Sequence, residues 1–358
     1  MPAPTPSRRL PLDPFITALL ATVGLALVLP ARGAAATGVS HAAVGAVGLL
    51  FFLYGARLSP REALDGLRQW RLHTLVLAVT FGLFPLLGLA ARLLVPAVLP
   101  LQLYQGLLFL CLLPSTVQSS IAFTSIARGN TAAAVCSASF SSLFGIVLTP
   151  LLAALLLDTH GGIGAGAVLG IAGQLLLPFL AGQLLRRRLT GLLTRHVRVL
   201  GLVDRGSILL VVYSAFGAAV TGGLWHQVSI PRLLVLGAVE ALLLATVLAA
   251  TTLLARRLGF GRADRTAIVF CGSKKSLAAG IPMATVLFPG PAVGLVVLPL
   301  MLFHQLQLMV CAVLARRWGA AADRAEQAEQ AALATAAVPA QPATARIRSV
   351  ISSRASSR

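Results

Sequence analysis

Apolar residues run along this chain in long blocks, and short polar stretches separate the blocks. Ten blocks approach the ~20 residues that a helix needs to cross the hydrocarbon core of a bilayer. They predict spans at about 14–31, 39–57, 73–95, 101–127, 130–156, 163–185, 206–224, 232–255, 264–289 and 291–315. Two of these runs break in the middle. In the fourth, LLFLCLL stops at PSTVQSS, residues 114–120, and resumes as IAFTSIA. In the ninth, AIVFC stops at GSKKS, residues 272–276, and resumes as LAAGIPMA. The bland explanation of the first is a kink at Pro114, with serines bonding back to helix carbonyls.

Composition fits the pattern. The chain is 57% hydrophobic and 11% charged, whereas soluble domains carry about 25% charged residues. A polytopic membrane protein follows, with the lipid bilayer as a partner. The net charge of +19 does not point to nucleic acid, because the arginines sit in short loops and not on one soluble face. Arg57, Arg61, Arg68 and Arg71 follow span 2; Arg128 follows span 4; Arg186, Arg187, Arg188, Arg195, Arg198 and Arg205 follow span 6. Arg256, Arg257, Arg262 and Arg265 follow span 8, and Arg316 and Arg317 follow span 10. Alternate loops are nearly free of arginine, with Arg32, Arg92 and Arg232 as strays. The positive-inside rule therefore puts both termini in the cytoplasm of a cell-membrane protein.

A rival reading takes Arg8, Arg9, the first apolar run and Ala34 and Ala36 as a cleaved signal peptide. Asp13 and the length of the run favour a retained span. RRRLTGLLTRHVRVLGLVDR, between spans 6 and 7, reads as a connector helix lying at the membrane surface. After residue 318 the chain turns small and polar. AADRAEQAEQAALATAA suits a short surface helix, and the final segment reads as disordered, with arginines able to meet anionic lipid. The four cysteines, Cys111, Cys136, Cys271 and Cys311, lie in apolar runs without metal-ligand spacing and read as buried free thiols.

Superposing the two breaks pairs Gln118 with Lys274, Ser119 with Lys275, Ser120 with Ser276, Ile121 with Leu277 and Ala122 with Ala278, at an offset of 156 residues. Each break lies in the fourth span of a five-span half, and the two spans run in opposite directions. An inverted repeat with interrupted helices is the mark of secondary transporters, because an interrupted helix frees backbone N–H and C=O groups near the midplane for a ligand. The predicted organisation is a cytoplasmic segment at 1–13, a first five-helix repeat at 14–157, a second at 158–318 and a largely disordered cytoplasmic tail at 319–358.

The segment PSTVQSSIAFTSIARGNTAAAVCSASFSSLFGIVLTPLL resembles the fourth and fifth helices of the bile acid:sodium symporter superfamily. CGSKKSLAAGIPMA resembles its bacterial branch that is similar to solute carrier family ten member seven. The resemblance extends over most of residues 10–318. It implies an all-α fold of ten helices in two inverted repeats. A panel domain would comprise spans 1, 2, 6 and 7, and a core domain spans 3–5 and 8–10. Discontinuous helices 4 and 9 would cross at their unwound midpoints, and alternating access would come from core moving against panel.

One departure matters. Symporters of the superfamily place sodium among oxygen ligands that include a glutamate and a glutamine on the ninth helix. Here that stretch holds Cys271, Gly272, Ser273, Lys274, Lys275 and Ser276. Two potential cations, the chain's only lysines, stand where a cation binds in relatives. In the other half, Ser119 and Ser120 take the place of the family's Ser-Asn pair, Ser115 and Thr116 replace glycines, and Ser137, Ser139 and Ser141 lie near further hydroxyl positions. A single weak sodium site at Ser119, Ser120 and Ser137 is what remains of the pattern.

A charge at mid-span costs about 2.5–3.5 kcal/mol on insertion scales, so the lysines are functional candidates. A lysine can replace the sodium ion by donating to carbonyls, can exchange a proton during transport, or can bind an anionic cargo. The dull alternative is that one snorkels to the surface. Glu240 is the one carboxyl well inside a span. It is a candidate partner for Lys274 or Lys275, or a proton relay. His304, near Gln305 and Gln307 in span 10, is a second candidate relay, although a lone membrane histidine is more often an interhelical hydrogen bonder. The candidate ion- and substrate-binding set is Ser115, Thr116, Gln118, Ser119, Ser120, Ser137, Ser141, Ser273, Lys274, Lys275 and Ser276.

The leading expectation is a secondary active transporter, not an enzyme and without a cofactor. It would move a small organic anion with a sodium ion or proton as coupling ion. The alternatives are an ion or proton exchanger of the same architecture and a non-transporting membrane regulator. An intramembrane Ser–Lys hydrolase has no oxyanion-hole signature to support it.

Overall fold

A computed structural model describes residues 14–57, 69–157, 165–223, 229–288 and 293–336. Among the described residues there is helix and turn and no strand. The helices in chain order are α1 (Pro14–Val28), α2 (Ala34–Arg57) and α3 (Trp70–Leu94), the last with a π turn at Val79–Leu83 and a 3-10 end. Then come α4 (Leu101–Leu112), α5 (Gln118–Ile126), α6 (Thr131–Leu156), α7 (Ala165–Arg195) and α8 (Val197–Thr221). The rest are α9 (Ile230–Arg257), α10 (Arg262–Gly272), α11 (Leu277–Leu287) and α12 (Val293–Ala336). Among the described residues six helices are long and apolar enough to cross a membrane, and the chain is a multi-pass membrane protein. Its outer surface carries large apolar side chains, such as Val28 (84% exposed), Leu93 (89%) and Leu184 (84%). A soluble protein would have to hide such a belt; acyl chains can cover it.

The helices pack in two groups. In one, α2 lies along α7 and α8, and α8 along α1. In the other, α4 packs on α12, while α10 touches α3, α5, α6 and α9. The groups meet where α6 faces α7 and where α8 faces α11 and α12. In the first group two glycines let backbones touch. A Cβ on Gly55 would collide with the Phe179 carbonyl oxygen, and one on Gly182 with that of Phe52. Small residues at crossing points are how helices approach closely in lipid, where the hydrophobic effect does not drive helix to helix.

Two expectations are corrected. The segment 186–205 is not a separate surface helix. α7 continues through Arg195, α8 begins at Val197, and the only non-helical residue between them is His196, φ −114°. No proline interrupts that stretch, so two long helices simply extend past the apolar run. Arg57, at the end of α2, then reaches Asp204 on the extension and forms an ion pair. The last helix likewise does not stop near residue 315 but runs on to Ala336, so the alanine- and glutamate-rich segment extends it without a break. Alanine and glutamate are among the strongest helix formers, and nothing there breaks the ladder. Residues 1–13 and 337–358 lie outside the described residues, and so do Arg61 and Arg68.

Candidate functional site

Both polar interruptions are breaks in the helical ladder. α4 ends at Leu112, Leu113 is extended (φ −74°, ψ 154°), and α5 starts at Gln118. Pro114 has no N–H to continue the ladder, and Gly145 of α6 gives it room, since a Cβ there would stand 2.6 Å from the proline ring. α10 ends at Gly272, and α11 starts at Leu277 with Ser276 as N-cap, its Oγ accepting from the Ala279 N–H at 3.2 Å.

The two breaks are bonded to each other. Ser115 Oγ donates to the Cys271 carbonyl at 2.5 Å, Ser120 Oγ to the Phe270 carbonyl at 3.0 Å, and the Ser276 N–H to the Pro114 carbonyl at 2.9 Å. The Phe270 and Cys271 carbonyls lie in the last turn of α10, where carbonyls lack intrahelical partners, and Pro114 lies in the non-helical break after α4. The hydroxyls form one cluster: Thr116 Oγ1 lies 2.6 Å from Ser119 Oγ and 3.2 Å from Ser120 Oγ, and Ser115 Oγ lies 3.5 Å from Ser120 Oγ. Ser141 Oγ accepts the Ser115 N–H at 2.9 Å. Gln118 is exposed at the start of α5, and Ser273 is buried.

The adjacent lysines, in non-helical backbone, go separate ways. Both are fully buried, so neither snorkels. Lys275 Nζ donates to the carbonyls of Thr80 (2.8 Å), Cys111 (2.8 Å) and Leu113 (2.7 Å). Thr80 lies in the π turn of α3. Cys111 and Leu113 lie at the C-terminal end of α4, where the helix dipole adds negative potential. The Phe84 ring covers the ammonium at 4.1 Å. Three acceptors match the three N–H bonds of an ammonium; a neutral amine has two N–H bonds and would turn a lone pair on a carbonyl. Gln307 of α12 holds the main chain at the same residue: its Oε1 accepts the Lys275 N–H at 2.9 Å, and its Nε2 donates to the Lys275 carbonyl at 2.8 Å.

Lys274 is different. Its Nζ makes no hydrogen bond and stands over the Phe123 ring at 3.8 Å, with Phe270 at 5.7 Å. The ammonium is held by ring faces alone.

Two expected groupings are not formed. Glu240 pairs with neither lysine: it is fully buried, and both carboxyl oxygens are without a hydrogen-bond partner. Lys275 is already satisfied by main-chain carbonyls, which carry no trace in the sequence. Ser137 does not join Ser119 and Ser120. Its Oγ lies 2.7 Å from His73 Nδ1 of α3 instead, because the 26-residue α6 is unbroken and turns that residue toward α3. His304 Nδ1 lies 2.9 Å from Gln307 Nε2, as part of the Lys275 support. Among the described residues no cluster of His, Cys, Asp and Glu could hold a metal ion. The oxygens gathered at the breaks are hydroxyls and carbonyls, donors that suit a hard cation. Gln307, named above only as a neighbour of His304, lies outside the candidate binding set, yet it holds the second break. Its one signal is a polar amide inside an apolar run.

A crevice of about 420 Å³ opens where the two helix groups meet, between α2, α8 and the ends of α11 and α12. Ser40, His41, Tyr213, Ser214, Thr285 and Phe288 are among its lining residues.

The sequence profile of the SBF-like CPA transporter family matches residues 13–320. An uncharacterized protein of Pseudomonas aeruginosa is 57% identical over 318 residues, 87% of this chain and 95% of the relative. A protein of Escherichia coli named "Putative symporter YfeH" is 51% identical over 308 residues, 86% and 93% of the two chains. A protein of Danio rerio named "Sodium/bile acid cotransporter 7" is 29% identical over 275 residues, 75% and 81% of the two chains.

Proposed function

The chain belongs to the SBF-like CPA transporter family, and from that premise we propose that it is a cell-membrane secondary transporter of a small organic anion, working by alternating access, in which Lys275 replaces a bound sodium ion. The observation that carries this reading is the Lys275 ammonium among three main-chain carbonyls. A sodium ion at that point would need the same oxygens. A tethered ammonium supplies the charge permanently and ties α3, α4 and the second break together. Lys274 has no hydrogen bond to lose, so it is the lysine free to meet a carboxylate or to exchange a proton.

Cargo would bind in the crevice between the helix groups, with α1, α2, α7 and α8 as panel and α3–α6 and α9–α12 as core. The inverted repeat is supported by the bonds across the breaks. The offset of 156 residues between Ser115 and Cys271 also relates Ser120 to Ser276 and Pro114 to Phe270. The two bonds thus link corresponding positions, although Ser120 donates from its hydroxyl and Ser276 from its backbone N–H. Both termini would face the cytoplasm, where the arginine-rich loops fall.

The test is uptake of labelled organic anions into proteoliposomes under separate sodium and pH gradients, with wild type beside Lys274→Gln and Lys275→Gln. Gradient-driven uptake that both substitutions abolish is expected. Proton–cation exchange without any anion would make the protein an exchanger. No flux in wild type under either gradient would overturn the transporter reading.

A further inference from the structure

If Lys275 fills the carbonyl cage, a mobile coupling cation needs another seat. We infer that Glu240 is that seat, holding a small monovalent cation, a proton or sodium ion. The proposal rests on the transporter reading above and names the coupling site within it.

Glu240 lies ten residues into α9, roughly 15 Å from that helix's first turn at 1.5 Å per residue. It is fully buried, and neither carboxyl oxygen has a hydrogen-bond partner. A polar group sealed from water without a partner is costly, and a bare carboxylate more so. In a membrane such a group marks an ion or proton path.

The Lys275 ammonium is the fixed cation of this region, and it is bonded to main-chain carbonyls and not to Glu240. α9 packs on α10, on α12 and on the π turn of α3. The ionisable groups of α10 are Arg262, Asp264 and Arg265 in its first turn and Cys271 at its far end; those of the membrane part of α12 are His304 and Cys311. None of these bonds the carboxyl. Thr80 Oγ1, on the π turn facing α9, is a second buried oxygen without a partner. The carbonyl of that same residue holds Lys275. The π turn that packs on α9 thus also carries a carbonyl that holds the fixed ammonium.

The full chain in lipid vesicles provides the test, by infrared difference spectroscopy on wild type, Glu240→Gln and Glu240→Asp. The pH is stepped without sodium, and sodium is then stepped at fixed pH. A proton at this seat gives the C=O stretch of a neutral carboxylic acid on the pH step. A sodium ion shifts the carboxylate bands on the sodium step, with radioactive sodium binding that Glu240→Gln loses. Either signal should vanish in Glu240→Gln and move in frequency in Glu240→Asp, whose thermal melting reports that the fold is intact. Difference spectra of Glu240→Gln that match wild type on both steps overturn the proposal. Anion uptake measured on the same vesicles separates the two readings. A Glu240-dependent band without uptake keeps the cation site and removes the transporter. Coupled uptake that survives Glu240→Gln does the reverse.

Discussion

Ser115 Oγ donates to the carbonyl oxygen of Cys271 at 2.5 Å, and the two residues stand 156 positions apart in the chain. One bond closes one interrupted helix onto the other. Each break exposes backbone groups that lipid cannot satisfy; some are satisfied by the other break and others by Ser141 and Gln307. The polar residues at 115–120 and 273–276 are thus not independent kinks but two halves of one joint.

The lysines should separate in a stability measurement. Lys275→Met leaves three buried carbonyls without their donor, at about 1–3 kcal/mol for each unsatisfied group. Lys274→Met removes a cation–π contact of about 0.5–2 kcal/mol and also a buried charge, so the melting temperature should stay or rise. Thermal melting in detergent decides this. Equal losses for the two variants would mean that Lys275 is not the tie.

Ser115→Ala and Ser120→Ala should each cost about 1 kcal/mol. The two hydroxyls lie 3.5 Å apart in one cluster, so the double variant should depart from the sum of the singles. A denaturant or thermal series on all four proteins measures it, and strict additivity would show that the two bonds across the joint are uncoupled.

Gln307→Leu should abolish uptake while the protein still inserts. It frees both main-chain groups of Lys275 and loosens the ammonium above them. Gln102→Leu, at an exposed position of α4, should leave uptake unchanged. The comparison is of initial rates at matched protein content.

Gly55→Leu and Gly182→Leu should each prevent accumulation of folded protein, because any Cβ there collides with a backbone carbonyl that cannot move aside. A Cβ on Gly45, in the same α2, would meet nothing within 4 Å. Gly45→Ala should therefore be neutral or slightly stabilising, by up to about 1 kcal/mol from helix propensity. Fluorescence size-exclusion profiles of membrane extracts would show the contrast.

The apolar helical runs, the two breaks and the unusual position of Lys274 and Lys275 are legible in the sequence, whereas the polar extensions of α7, α8 and α12 are not. Long apolar runs have only one way to satisfy their backbone in lipid other than a closed barrel, Pro114 has no N–H to continue the ladder, and GSKKS stands out as a polar interruption of an apolar run. The tertiary structure alone decided which lysine is held and by what. The partners of Lys275 are carbonyls of Thr80, Cys111 and Leu113, and a carbonyl looks the same under every side chain. It also decided that Glu240 stands apart, that Ser137 turns to His73, and that Gln307 supports the break. Each of these depends on the rotation of one helix against another, which packing sets and hydropathy does not record.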